Sequence, residues 1–260
     1  MPLGRVTLVG AGPGAPDLIT LRGRQAILAA EIVLYDALLD EAILEGTTAR
    51  RVYVGKRCGS HSLSQEAIIQ LLIDHALAGR QVVRLKGGDP GVLGRVGEEI
   101  VALAAAGVPF ELVPGVSSAL AAPALAGIPL THRGVADAFT VASAHPRGEN
   151  PEFSIPPFHE SNTVVLLMGV TTLDEWSRDL AAKGYPGDLP AALVMDVSLP
   201  SQNVVVTRLD RLALDGRPGE VRSPAVAIVG RVVDLRTRSP APVRPAVHPR
   251  HDDLPVRPNA

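Results

Sequence analysis

Aromatic residues are scarce, at 3% of the chain, and cysteine is represented by Cys58 alone. The core therefore cannot rest on large rings, and Ala, Val, Leu and Gly must supply it, which suits buried parallel strands and closely packed helices. A single thiol excludes an intrachain disulfide and a cysteine-clustered metal site, and it fits a reducing compartment. Bland burial is its expected fate. A charge excess is lacking too: the formal charge of −2 provides no field to gather nucleic acid or an anionic membrane. Anion binding would have to rest on a local cluster. No apolar run is long enough for a membrane span, because the most apolar stretch, Val101 to Leu130, is broken by Pro109, Glu111, Pro114, Pro123 and Pro129. The opening "MPLGRVTLVGAG" enters a strand at once and has no secretory signal pattern, so a cytoplasmic location is expected.

What is present is ample. With 260 residues, 46% of them hydrophobic and 20% charged, the chain can bury a substantial core as one large domain or two small ones. Strand-like runs at Val6 to Val9, Ile32 to Tyr35, Arg51 to Val54, Val82 to Leu85 and Phe110 to Val113 alternate with helical patterns over Leu21 to Ala30, Ser64 to Ala78 and Glu98 to Ala106. This rhythm predicts a mostly parallel, helix-covered sheet with ligands beyond the carboxyl ends of its strands. A second set has strands at Phe139 to Ala142, Val164 to Met168, Ala192 to Met195, Asn203 to Thr207 and Val226 to Val229, and a helix at Thr172 to Lys183. Two α/β domains are thus expected, residues 1–114 and 115–238. Residues 145–162 read as a long loop of the kind that is often functional, and the proline-rich residues 239–260 as a disordered or extended tail.

Two glycine-rich turns raise the question of a ligand. "VTLVGAGPGAPDLIT" has Gly10, Gly12 and Gly14 after a strand and Asp36 ending the next one, which at first reads as a dinucleotide site. The spacing is G-x-G-x-G, however, and Pro13 and Pro16 remove donors that an anion cradle needs. A structural turn and a turn lining a small-molecule cleft both remain open. "RLKGGDPGVLGRVGEE" lacks the Lys-Ser or Lys-Thr of a phosphate loop, and Asp89 at its tip would repel phosphate. An acid among glycines suits hydroxyls, an ammonium or a sulfonium, the groups that S-adenosyl-L-methionine carries. Lys56, Arg57, His61, Arg84, Lys86, Arg95, His132 and Arg133 are either solvated charges or parts of a cluster for an anionic substrate.

Seven blocks in order, "VGAGPGAPDLITLRG", "VLYDALL", "YVGKRCGSH", "VVRLKGGDPGVLGRVGEE", "VPGVSSALAAPALAGIPLTHRG", "LLMGV" and "SPAVAIVGRVV", give the chain a resemblance to the tetrapyrrole methylase family over roughly residues 5 to 236. The resemblance implies two α/β domains with S-adenosyl-L-methionine in the cleft between them, and a homodimer. By residue match it implies that Pro13, Gly87, Gly88, Asp89, Val92, Ser117, Ser118, Met168, Val197 and Ala225 contact the cofactor. It implies methyl transfer to C2 and C7 of uroporphyrinogen III, giving precorrin-1 and then precorrin-2 and leaving S-adenosyl-L-homocysteine. Asp36 matches the proton acceptor and Lys56 the proton donor. An ordinary carboxylate is a feeble base near neutrality, so this role predicts that Asp36 is partly desolvated in the complex. The carboxylate-rich substrate would account for a gathering of Arg57, His61, Arg84, Arg95, His132 and Arg133.

The sequence departs from the family pattern at Gly91 and Leu93, where aromatics are common, at Val96, at Ser143 to His145, and at Met195 to Ser198. These departures put substrate packing and cofactor contact in question. A methylase of a later precorrin, a binding protein without turnover and an NAD-dependent oxidoreductase are the alternatives.

Overall fold

The computed structural model describes residues 2–36, 39–55, 63–145, 153–212 and 221–236. The expectations for Lys56, Arg57, Cys58, His61 and the proline-rich tail lie outside these residues. In the first half, β1 (Arg5–Gly10), β2 (Ile32–Tyr35), β3 (Arg50–Tyr53), β4 (Gln81–Lys86) and β5 (Phe110–Val113) form one sheet in the order β3-β2-β4-β1-β5. All its pairings are parallel. The helices α1 (Leu21–Ala29), α2 (Gln65–Leu77) and α3 (Val96–Ala105) supply crossovers, as parallel neighbours require.

Local chemistry starts these helices. Thr20 Oγ1 accepts from Gly23 N at 3.1 Å before α1, and Ser64 Oγ accepts from Ala67 N at 3.2 Å before α2. On α2, Ile68, Leu72 and Ala76 recur at four-residue spacing and are buried. They pack with Val96 and Leu103 of α3 over Val6, Leu8, Leu34 and Val82. Intervening strand residues Val9, Val33, Val83 and Leu85 face the other way, onto Ile27 of α1.

The second half has α4 (Ser118–Leu125), β6 (Ala138–Ser143), β7 (Asn162–Leu167), α5 (Leu173–Ala182), β8 (Pro190–Met195), β9 (Asn203–Arg208) and β10 (Ala225–Val229). Its sheet runs β6-β7-β10-β8-β9 and is mixed: β6 and β7 are parallel, and every other pair is antiparallel. No helix separates β8 from β9, and a short turn can join strands only antiparallel. Trp176 and Leu180 of α5 cover one face with Val164, Leu166 and Leu193. Ala119 and Ala122 of α4 cover the other with Val165, Val194 and Ile228. Packing therefore passes from the first sheet to the second between Val113 and Ala119. Among the described residues no helix is long and apolar enough to cross a membrane.

Candidate active site

Three loops meet backbone to backbone at the carboxyl ends of β1, β4 and β5. A Cβ on Gly10 would lie 2.5 Å from Gly115 N and 2.8 Å from Gly88 O. Gly88 N donates to Gly12 O at 2.7 Å, and Gly12 N donates to Gly88 O at 3.2 Å. Both glycines have left-handed backbones, with φ of 84° at Gly12 and 65° at Gly88. Asp89 locks the junction, its Oδ1 accepting from Gly91 N at 2.8 Å and its Oδ2 from Gly115 N at 2.9 Å. At Gly87 the situation reverses: beyond its own chain neighbours, no atom lies within 4 Å of where its Cβ would stand. The turn is thus pinned on one side and open on the other.

The second half supplies a facing wall. Ser198 Oγ accepts from Ala15 N at 2.8 Å, and a Cβ on Gly14 would lie 3.1 Å from Val197 O. Residues after β1 and residues after β8 are therefore in direct contact. Ala225 pairs with Met195, so β10 starts at the sheet end where β8 finishes. Asp196 is held there by Arg222. Among the described residues the non-glycine positions with positive φ are Leu93, Arg95, Met168, Asp196 and Ser198, all in the turns that leave β4, β7 and β8. Such strain persists where the surroundings enforce it, commonly at ligand sites. Met168 is also 52% exposed, unusual for a large thioether side chain.

This lining fits S-adenosyl-L-methionine. Open backbone at Gly87 admits a ligand without side-chain obstruction, and Met168 offers a soft apolar surface. Pro13 is half-buried on the turn after β1, Val92 on the turn after β4, and Ser118 opens α4. Ser117 is buried and caps α4, its Oγ accepting from Ala119 N at 3.2 Å.

Beside this junction of turns lies a buried charge cluster. Arg84 Nη2 donates to Asp36 Oδ1 at 2.7 Å, and Arg84 Nε donates to Glu99 Oε1 at 3.2 Å. The same Glu99 oxygen accepts from Lys86 Nζ at 3.0 Å and from Gln65 Nε2 at 3.2 Å. Arg84, Lys86 and Glu99 are buried, whereas the Asp36 side chain is 31% exposed. Burial, with the Arg84 cation beside it, pushes the Lys86 ammonium below its ordinary value, against the pull of Glu99 and Asp36. The register that pairs Tyr35 with Leu85 sets Asp36 level with the strand end that opens into Gly87.

The expected substrate cations are placed apart. Arg84 is buried and faces inward, where a bulky ligand cannot reach it. Arg95 is exposed and already gripped by Glu98 at 2.8 Å through both Nε and Nη2. His132 and Arg133 are exposed on a turn before β6, beside Ser161 to Thr163 at the amino end of β7. A six-residue strand, roughly 17–20 Å long, lies between them and Met168. Glu99 was not singled out by sequence reasoning. Its signal was present: Val96, Glu99 and Leu103 share the buried stripe of α3, and an acid in such a stripe needs a buried cation.

Comparison with known proteins identifies the family. The family described as Tetrapyrrole (Corrin/Porphyrin) Methylases matches residues 5–213. The chain is 41% identical over 236 residues to a uroporphyrinogen-III C-methyltransferase of Methanocaldococcus jannaschii, covering 89% of this chain and 98% of that protein. It is 44% identical over 238 residues to a siroheme synthase of Acinetobacter baylyi, and there it spans 90% of itself but only 52% of the relative. Among solved structures, a uroporphyrin-III C-methyl transferase from Thermus thermophilus complexed with S-adenyl homocysteine aligns with a TM-score of 0.77 and 42% identity, covering 89% of this chain and 100% of that one. The chain belongs to the tetrapyrrole methylase family.

Proposed function

We propose that the chain transfers methyl groups from S-adenosyl-L-methionine to C2 and C7 of uroporphyrinogen III. The products are precorrin-1, then precorrin-2, and S-adenosyl-L-homocysteine, and precorrin-2 feeds sirohaem or cobalamin formation. One observation carries this reading: an open glycine turn at Gly87 stands at the strand end where Asp36 is held by a buried arginine. The near-full-length likeness to a relative named for this activity supports it.

When bound, S-adenosyl-L-methionine supplies a methyl group activated on a sulfonium. The reduced macrocycle is itself the carbon nucleophile, so the chain's work is alignment and proton handling. Gly87 and Gly88 present backbone to the cofactor, and Asp89 keeps that backbone in place. Pro13, Val92, Ser117, Ser118, Met168, Val197 and Ala225 complete the assigned cofactor set. The methylated carbon already bears a carboxylate side chain and has no hydrogen, so Asp36 takes the proton that the macrocycle gives up elsewhere to restore neutrality after the methyl group is added. Arg84 orients it by occupying Oδ1 and so serves the substrate through Asp36. Lys56 is assigned proton donation, and Arg57 and His61 carboxylate binding. Arg95 is the exposed cation at the turn itself, while His132 and Arg133 lie at the far end of the second sheet.

Two domains, divided at residue 114, and a homodimer in the cytoplasm complete the proposal. Exposed Phe110 and Leu112 on the edge strand β5 support self-association, and the lone cysteine supports a reducing compartment. Anaerobic incubation with uroporphyrinogen III and S-adenosyl-L-methionine tests the chemistry through S-adenosyl-L-homocysteine release. Two equivalents per tetrapyrrole over repeated turnovers are expected. A single burst equal to the enzyme concentration would instead mark a binding protein.

A further inference from the structure

Glu99 carries more of the cluster than its surroundings need for packing. It is fully buried, it accepts Arg84, Lys86 and Gln65 on Oε1 alone, and its Oε2 has no hydrogen-bond partner among the described residues. Arg84 and Lys86 stand two residues apart on β4 and share the core-facing side with Val82. Apolar residues there would pack at least as well, since a buried ion pair is often no more stable than a hydrophobic replacement. What the ionic arrangement adds is geometry. Arg84 Nε on Glu99 and Nη1 on Leu85 O, at 3.1 Å, fix the guanidinium plane, which leaves Nη2 aimed at Asp36 Oδ1.

We propose that Glu99 is a positioning residue for methyl transfer, acting through Arg84 to hold Asp36 at the mouth of the cleft. This rests on the assignment of Asp36 as proton acceptor. Glu99 touches no substrate; it is the fixed end of a relay of contacts from α3 through β4 to the exit of β2. Lys86 is a second load on the same oxygen and balances the charge: two cations and two carboxylates meet in the cluster. Gln65 ties the first turn of α2 to the same point.

The test uses Glu99→Gln, the charge-compensated pair Glu99→Gln with Lys86→Met, Asp36→Asn, and the combination of Glu99→Gln with Asp36→Asn. Glu99→Gln should lower kcat on the order of tenfold to a hundredfold, the scale of a misplaced catalytic group, with the Kd for S-adenosyl-L-homocysteine unchanged. The compensated pair should recover thermal stability but not kcat, and it carries the test if Glu99→Gln does not fold. Combining Glu99→Gln with Asp36→Asn should be no slower than Asp36→Asn alone, because residues acting as one unit are non-additive. Recovery of wild-type kcat in the compensated pair would reduce Glu99 to a counter-ion and overturn the inference. So would losses that multiply in the combination. If Asp36→Asn itself turns over normally, the Asp36 assignment falls and this inference with it; if Asp36→Asn is inactive and Glu99→Gln is normal, only the role of Glu99 falls.

Discussion

Arg84 and Asp36 are joined at 2.7 Å across neighbouring strands, with the guanidinium in the core and the carboxylate at its edge. A partly exposed acid held by a buried cation has a fixed direction without being sealed from solvent, as the proposed proton acceptor for a large substrate requires. Replacing Arg84 by Ala should strip Glu99 and Asp36 of their shared partner and cost about 3–5 kcal/mol of stability, the penalty for breaking a buried pair. Arg84→Lys should keep the charge and most of the stability but lose the two-sided grip, so kcat should still fall. Denaturant unfolding together with steady-state rates separates the two effects.

The glycines of the site divide into two kinds, and alanine substitution should tell them apart. Gly10→Ala drives a methyl group into the backbone of Gly115 and Gly88, and overpacking of this sort costs about 1–3 kcal/mol or more. Gly87→Ala meets nothing, so its unfolding midpoint should match the parent protein. Its methyl group occupies the opening of the cleft, and calorimetric titration should record weaker S-adenosyl-L-homocysteine binding.

Asp89 accepts two backbone N–H groups that join the turns after β4 and β5. Asp89→Ala should therefore reduce stability and cofactor affinity together. Hydrogen bonds to a charged group are worth about 1.5–3 kcal/mol each. Loss of affinity with an unchanged unfolding midpoint would mean that Asp89 acts on the ligand alone.

The lowered pKa of Lys86 fixes the sign of one pH effect. In the folded protein its proton is held less firmly than in the unfolded chain, so the unfolded state binds more protons between the folded value and the ordinary 10.5. Stability should gain from this group as pH rises through that window. Lys86→Met removes the effect, and the difference in unfolding free energy between parent and variant should change in the parent's favour across the same range.

The first sheet was legible because its strands are short apolar runs separated by helical patterns, each ending in a turn with a chemical signature. Ile32 to Tyr35 matches the observed strand, and α1 and α2 differ from expectation by one residue at their ends. The antiparallel order of the second sheet was not legible, since Ala225 to Val229 and Pro190 to Met195 are buried throughout or nearly so and carry no alternation to betray direction. α3 begins at Val96, a half-turn before the expected Glu98, because Arg95 takes a left-handed backbone and grips Glu98 from the cap position. Arg84 reads in the sequence as a solvated charge or a substrate contact, because charge alone does not report burial. Its place on a central strand, two residues before Lys86 on the same face, was the available clue.

The most direct measurement is the mass of the tetrapyrrole after anaerobic incubation of the purified protein with uroporphyrinogen III and S-adenosyl-L-methionine, sampled over many turnovers. A transient product with one added methyl group, replaced by one with two, is the predicted course. An unchanged tetrapyrrole, in a protein that still binds S-adenosyl-L-homocysteine, would contradict it and direct the search to later precorrins.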